Sequence, residues 1–228
     1  SFDDATYTTQ FRPFAFNSVY DDYTWGGAVE LGTDAFAGHA LRTAFHYKRD
    51  IHRETDNDNS PEERYEDEVL SLGLEDTLAV GDRWTLIAGT SWDRQKGIRA
   101  DNLVGTTITA FPTDTESALN LQGGAIFAMS EAERLRLSLS RRTRFPTIKD
   151  RYSFRLGSAL PNPSLKPEEA SHFELGIDGQ RGPWEYGANV FYSELSDAIE
   201  NVTLGPTLCA LPPCFQLQNI GRQRNRGV

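Results

Sequence analysis

The side chains best equipped for chemistry are few and scattered. Four histidines, His39, His46, His52 and His172, and two cysteines, Cys209 and Cys214, stand among 33 acidic residues in a chain of 228. A rim-acting hydrolytic pair could be drawn from His46, His52, Asp50 and Asp56, with an imidazole moving a proton and a carboxylate orienting it. Yet Gly-x-Ser-x-Gly, His-Glu-x-x-His and a glycine-rich phosphate loop are all missing, so no spacing fixes a nucleophile or a catalytic metal. The run Asp56-Asn57-Asp58-Asn59 offers oxygen ligands suited to Ca²⁺ but lacks the central glycine and later bidentate glutamate of an EF-hand, and reads as a solvated acidic loop. Cys209 and Cys214 bracket Ala-Leu-Pro-Pro, which suits a small disulfide-closed loop in an oxidising compartment such as the periplasm or cell surface. Zinc would need further Cys or His ligands at suitable spacing. The residues alone therefore point away from an enzyme and call for no cofactor or metal.

The formal net charge of −10 argues against a nucleic-acid partner, because phosphate binding depends on clustered Lys and Arg that release counterions. No run of about 20 apolar residues exists, which excludes a transmembrane helix, but a tilted barrel strand needs only about 9 to 11 residues with one apolar face. The start, Ser-Phe-Asp-Asp-Ala, has no charged n-region or apolar h-region, so any export signal is expected outside these residues.

The elements that must position these groups are strands. Alternation with period two recurs along the chain, and no segment sustains a helical repeat. Strands are expected over 24–33, 39–51, 64–76, 83–94, 116–129, 133–143, 170–179, 183–199 and 214–221. Short turns at 34–38, 76–82, 130–133 and 179–183 alternate with long connections at 52–63, 95–115, 144–169 and 200–213. One end of the sheet is trimmed and the other decorated, as in outer-membrane barrels with short periplasmic turns and long outer loops.

The strand faces agree with that reading. Trp84, Leu86, Ala88, Thr90 and Trp92 share one side of a strand, and Trp184, Tyr186, Ala188, Val190 and Tyr192 repeat the layout. Eight residues at about 3.3 Å, tilted roughly 40°, rise about 20 Å, close to the apolar band that aromatic girdles bracket. Further lipid-facing sets are Leu41, Thr43, Phe45, Tyr47; Leu70, Leu72, Leu74; Leu135, Leu137, Leu139; and Phe173, Leu175, Ile177. Opposite them, Arg136, Ser138, Ser140 and Arg142 on one strand and His172, Glu174 and Asp178 on the next suit a wet, charge-paired lumen. A soluble β-sandwich also alternates and is the competing architecture.

The run Ser140-Arg141-Arg142-Thr143-Arg144-Phe145-Pro146-Thr147, then Asn162-Pro163-Ser164-Leu165-Lys166-Pro167-Glu168, then Phe173-Glu174-Leu175-Gly176 resembles the barrel of TonB-dependent outer-membrane receptors. So do Asn189 to Ile199 and the closing Gln218-Asn219-Ile220-Gly221. The resemblance is carried by roughly the last hundred residues. It implies an all-β fold: an antiparallel up-and-down meander forming a partial transmembrane β-barrel wall. The whole barrel would have about 22 strands. Residues 1–228 are then expected to be an internal piece of about nine strands, without the plug domain or the final strand.

The implied function is active uptake of a nutrient such as a ferric siderophore across the outer membrane of a Gram-negative bacterium. Partners would be outer-membrane lipid, a small-molecule nutrient or metal chelate, and TonB through the plug and TonB box. In such a receptor, Arg144, Tyr152, Phe154 and Arg155 combine aromatic stacking surface with cationic donors and are the candidate contacts for an anionic chelate; packing of the loop onto its neighbours is their competing role. The alternative function is a small structural or adhesive surface barrel.

Overall fold

A computed structural model describes residues 5–9, 16–56 and 60–228. Of the run 56–59 that suggested oxygen ligands for Ca²⁺, all but Asp56 lies outside them. In order come β1 (Ala5–Thr9), β2 (Phe16–Thr33), β3 (His39–Asp56), β4 (Glu63–Val80), β5 (Trp84–Val104), β6 (Thr107–Ala110), β7 (Thr115–Ala128) and β8 (Glu133–Arg144). After β8 follow a short helix α1 (Ile148–Tyr152), a 3-10 turn (Arg155–Gly157), β9 (Ala159–Leu160), β10 (Glu168–Arg181), β11 (Trp184–Ser196), β12 (Ile199–Leu204), β13 (Cys214–Asn219) and β14 (Arg222–Gly227). One large antiparallel meander runs β1-β2-β3-β4-β5-β7-β8-β10-β11-β14, with β6 folded back on the end of β5. Among the described residues β1 and β14 each pair on one side only, so the wall is open at both edges.

The pairing puts every expected lipid-facing set on the same side. Val29, Phe45, Leu72, Trp92 and Leu119 stand opposite one another along one register line, and Leu139, Phe173 and Tyr192 along another. Many large apolar side chains on this face are exposed, among them Leu31, Leu74, Trp84, Leu139 and Trp184. Among the described residues no second sheet covers them, as a sandwich would require. The buried apolar residues instead gather at the loop end, around Tyr65, Ala100 and Tyr152. So wide an uncovered apolar face suits lipid and not water.

The two aromatic rims fix the tilt. Register carries Trp84 through Phe127, Leu135 and Ile177 to Ala188, and Trp184 lies four residues below Ala188 on β11. At the other rim Tyr192 shares the line of Ala88, and Trp92 lies four residues above Ala88. About 13 Å along the strand over four spacings of about 4.8 Å gives a tilt near 35° at both rims, within the range that barrel closure demands. The lower rim holds Trp84, Phe127 and Trp184; the upper holds Trp25, Tyr47, Trp92 and Tyr192. Trp84 packs on Phe127 at 4.5 Å between ring centroids, and Trp25 on Tyr47 at 5.3 Å.

The strands outrun their apolar stripes. β3 and β4 have 18 residues and β5 has 21, so they rise roughly 45 to 55 Å, well beyond an apolar band of about 25 Å. Above the upper rim both faces are polar, so hydrophobic alternation stops while ladder pairing continues. The expected ends at 51 and 94 therefore fall short of Asp56 and Val104, and the expected start at 24 misses the stretch from Phe16. The connection expected at 95–115 is mostly the upper part of β5 and its hairpin with β6. In this upper region the β4–β5 register slips between Glu66 and Asp67, leaving Ile98 as the extra residue.

Two further expectations are corrected. The strand expected over 183–199 breaks at Ser196, and Asp197, with a φ of 52°, turns the chain away into β12. The segment expected to join the wall at 214–221 is β13, which pairs with β12 and, in parallel, with β9 in a separate small sheet. The place beside β11 is taken by β14, Arg-Gln-Arg-Asn-Arg-Gly, whose polar composition hides its strand character.

Candidate functional site

The lumen face carries polar side chains held by one another across strands. Register aligns Arg42, Glu75, Gly89, Gln122, Ser140 and His172. Gln122 on β7 reaches over β5 to donate to Glu75 on β4, and Arg142 on β8 donates to the Gln122 oxygen. Gly89 makes that reach possible, since a Cβ there would lie 2.8 Å from the Gln122 side chain. One step higher, Asn120 donates to Asp93 and to Ser91 and accepts from the Thr143 N–H at 2.7 Å. Lower down, Arg136 pairs with Asp178 at 2.7 Å. Of these groups Arg42, Glu75, Ser91, Asn120, Gln122 and Arg142 line an open trough of about 400 Å³.

Above the trough the loop after β8 folds over the lumen side. Pro146, fully buried and without an N–H, ends the ladder, and Thr147 caps α1: its hydroxyl accepts from the Asp150 N–H at 3.1 Å while the Asp150 carboxylate accepts from the Thr147 N–H at 3.0 Å. These hydrogen bonds, with Arg144 beside them, hold the Asp150 carboxyl below its usual range against the opposing effect of burial. The helix delivers Arg151 and Tyr152 into the interior.

Arg151 donates to Asp67 at 3.2 Å, to the Gln95 side-chain oxygen at 2.6 Å and to the Pro146 carbonyl at 3.0 Å. Gln95 in turn donates to Asp67 at 2.9 Å. Both ion partners are 3% exposed. The second Asp67 oxygen has no donor among the described residues, and burial pushes this carboxyl up to about 6 despite the adjacent guanidinium. The Tyr152 ring stacks on Tyr65 at 5.6 Å and on Phe111 at 5.5 Å.

The return loop explains its own residues. The Asn162 side-chain oxygen accepts from the Ser164 hydroxyl at 2.7 Å; its amide donates to the Leu217 carbonyl at 2.8 Å and its N–H to the Arg151 carbonyl at 2.7 Å. Asn219 answers from the other side, accepting from the Lys166 N–H at 2.8 Å and donating to the carbonyls of Lys166 and Asp197. Glu168 closes the clamp: one oxygen accepts from the Ile199 N–H at 2.6 Å and the other from Arg144. The loop after β8 and the small sheet are thereby one knitted body.

The four candidate ligand contacts fall into two pairs. Arg144 is bound to Glu168 and Asp150, and Tyr152 is buried in the aromatic stack. Phe154 and Arg155 remain open on the loop surface, with Arg155 held at a φ of 43° and donating to Asn201 at 3.3 Å. Beside them the tip of the small sheet carries Cys209 and Cys214, whose sulfurs lie 1.99 Å apart, and docks through a Leu211 N–H donated to the Gly157 carbonyl. The structure does not gather His46, His52, Asp50 and Asp56 into one constellation. His52 binds Asp22 and Glu54, Asp50 binds Lys48 and Thr24, and Asp56 accepts from Ser18. Among the described residues no group of three or more His, Cys, Asp or Glu side chains is arranged to hold a metal. The Asp67–Gln95–Arg151 set escaped the sequence reading, because its members are 28 and 56 residues apart in sequence and only the fold brings them together.

A tilted wall with one lipid face, one charged face, two aromatic rims and long folded loops at one end defines part of the wall of a transmembrane β-barrel. The family model for the TonB dependent receptor-like β-barrel matches residues 1–228, and the chain belongs to that family. Solved structures with the same fold include the Serratia marcescens hemophore receptor HasR in complex with its hemophore HasA and heme, at 16% identity and a TM-score of 0.68 over 93% of this chain and 39% of that one. The copper transporter OprC aligns at 18% identity and a TM-score of 0.77, covering 96% of this chain and 36% of its own. The ferric enterobactin receptor PfeA from Pseudomonas aeruginosa aligns at 17% identity and a TM-score of 0.67, over 95% and 34%. The chain thus spans between a third and two fifths of these receptors. No curated protein sequence matches it.

Proposed function

We propose that this chain forms part of the wall and mouth of an outer-membrane receptor of a Gram-negative bacterium. That receptor takes in a metal chelate or another scarce nutrient, driven by TonB acting through a plug and TonB box, and performs no covalent chemistry. The observation that carries the reading is the separation of a broad apolar face between two aromatic rims from a charge-lined trough that opens beneath a folded loop assembly. Family membership and neighbours named for heme, copper and ferric enterobactin support it. Phe154 and Arg155 offer a stacking surface and a cation to an anionic chelate, while Arg144 and Tyr152 hold the loop that presents them.

The test is uptake of labelled ferric siderophore, haem and copper by cells producing the intact receptor, with and without TonB. Uptake of one substrate that disappears without TonB is expected. The Arg155→Gly variant, which suits the left-handed backbone, should raise the half-saturating concentration at least tenfold. Uptake indifferent to TonB, or none for any chelate, would sink the transport reading.

A further inference from the structure

The face turned to lipid carries an unexplained charge just beyond the upper rim. On β5 the residues after Trp92 on that face are Arg94 and Lys96, which stand opposite Leu70 and Glu68 on β4 and opposite Ser117 and Thr115 on β7. Neighbouring carboxylates are already engaged. Glu66 binds both Arg49 and Arg64, Glu68 accepts from the Tyr47 hydroxyl at 3.0 Å, and Asp101 holds Arg99 at 2.8 Å. Among the described residues neither Arg94 nor Lys96 forms an ion pair, although other cations of the same face, Arg53, Arg141 and Arg224, each have one. A local excess of positive charge on a chain of net charge −10 is against the general trend of its composition.

The height of these two cations decides what they meet. Two residues beyond Trp92 is about 5 Å along the barrel axis and four residues about 10 Å. A bilayer of about 40 to 45 Å with a hydrocarbon core of about 30 Å leaves a headgroup layer of roughly 5 to 8 Å on each side. Arg94 therefore sits in the headgroup layer, and Lys96 at its outer edge, with a flexible stem able to bend toward it. A guanidinium binds phosphate oxygens bidentately and an ammonium adds a point charge, while Ser117 and Thr115 present hydroxyls on the same face.

We propose that Arg94 and Lys96, flanked by Ser117 and Thr115, form a binding site on the outside of the wall for the phosphate of an anionic lipid headgroup. The proposal rests on the reading of this face as lipid-facing. Its test is native mass spectrometry of the intact receptor titrated with phosphatidic acid and with phosphatidylcholine. The wild type should retain phosphatidic acid, and the Arg94→Ser/Lys96→Ser variant should bind it at least tenfold more weakly. The Arg42→Ser/Lys48→Ser variant, the same charge change on the lumen face, should bind like the wild type. Equal retention by the Arg94/Lys96 variant, an equal loss in the lumen variant, or full displacement by millimolar inorganic phosphate would overturn the lipid site. Vesicles with brominated acyl chains separate the two readings: unquenched tryptophans would overturn the lipid-facing wall itself, whereas quenched tryptophans with unaltered retention would overturn only the site.

Discussion

Replacing Leu137 by arginine tests the wall most directly. Leu137 lies on the lipid face of β8 with Leu135 and Leu139 beside it and Ala125 and Leu175 opposite, so no carboxylate of that face adjoins it. On the tilted rim lines it falls four residues from either edge, about 10 Å, at the bilayer midplane. An arginine there costs about 2–4 kcal/mol, against about 0–1 kcal/mol near an interface. At about 1.4 kcal/mol per tenfold, that is a roughly 30- to 700-fold shift in the folding equilibrium. Ser138, the next residue, faces the lumen with Glu174 opposite, so an arginine gains a carboxylate and stays in water. Urea titration of the intact barrel folded into phospholipid vesicles, followed by tryptophan fluorescence, should place Leu137→Arg well below the wild type and Ser138→Arg within about 1 kcal/mol of it. Equal losses, or a greater loss at Ser138, would refute the assignment of faces.

Two further outcomes follow from the loop end. Arg151→Ala leaves Asp67 buried without its cation and should destabilise the folded loop by about 3–5 kcal/mol, limited by the readiness of Asp67 to take up a proton. Limited proteolysis should then cut near α1, and pairing Arg151→Met with Asp67→Leu should restore resistance. His52, well above the upper rim, feels burial pulling its pKa down, but its contacts with Glu54 and Asp22 win and raise it. Its folded value is raised, so the stabilisation of the β2–β3 hairpin is fully present below the ordinary histidine value of about 6.5 and is lost as pH rises through the folded value. Hydrogen exchange at the top of that hairpin should accelerate over this window beyond the intrinsic pH effect, and a His52→Gln variant should show no such step.

How far the sequence could be read depended on which force left a pattern. Between the rims lipid on one side and water on the other impose a two-residue alternation, and the sets from Leu41 to Tyr47, Leu135 to Leu139 and Phe173 to Ile177 were legible from it. Above the rims water bathes both sides, so Arg53, Glu54 and Thr55 keep the ladder without signalling it, and the end of β3 beyond 51 and the upper half of β5 have the pattern of a loop. β14 hid for the same reason. The proline and asparagine runs marked the return loop, but their partners did not show: Asn162 bonds to the Leu217 carbonyl 55 residues away, and Glu168 to the Ile199 N–H 31 residues away. Backbone partners have no signature in the side-chain sequence. Arg144 and Tyr152 stay open to both ligand contact and loop packing in the sequence, because their residue types serve either role, and only the fold shows the clamp and the stack they enter.

The slip opposite Ile98 bears on how such a wall can change length. Within the band, an insertion or deletion of one residue turns every side chain beyond it to the other solvent, putting Arg136 or Glu174 into hydrocarbon and leucines into the trough. The β4–β5 ladder absorbs its extra residue between Glu66 and Asp67, above Trp92, where both sides are wet and inversion is cheap. Length variation among homologous walls should therefore be quantised in pairs of residues inside the rims and unrestricted above them.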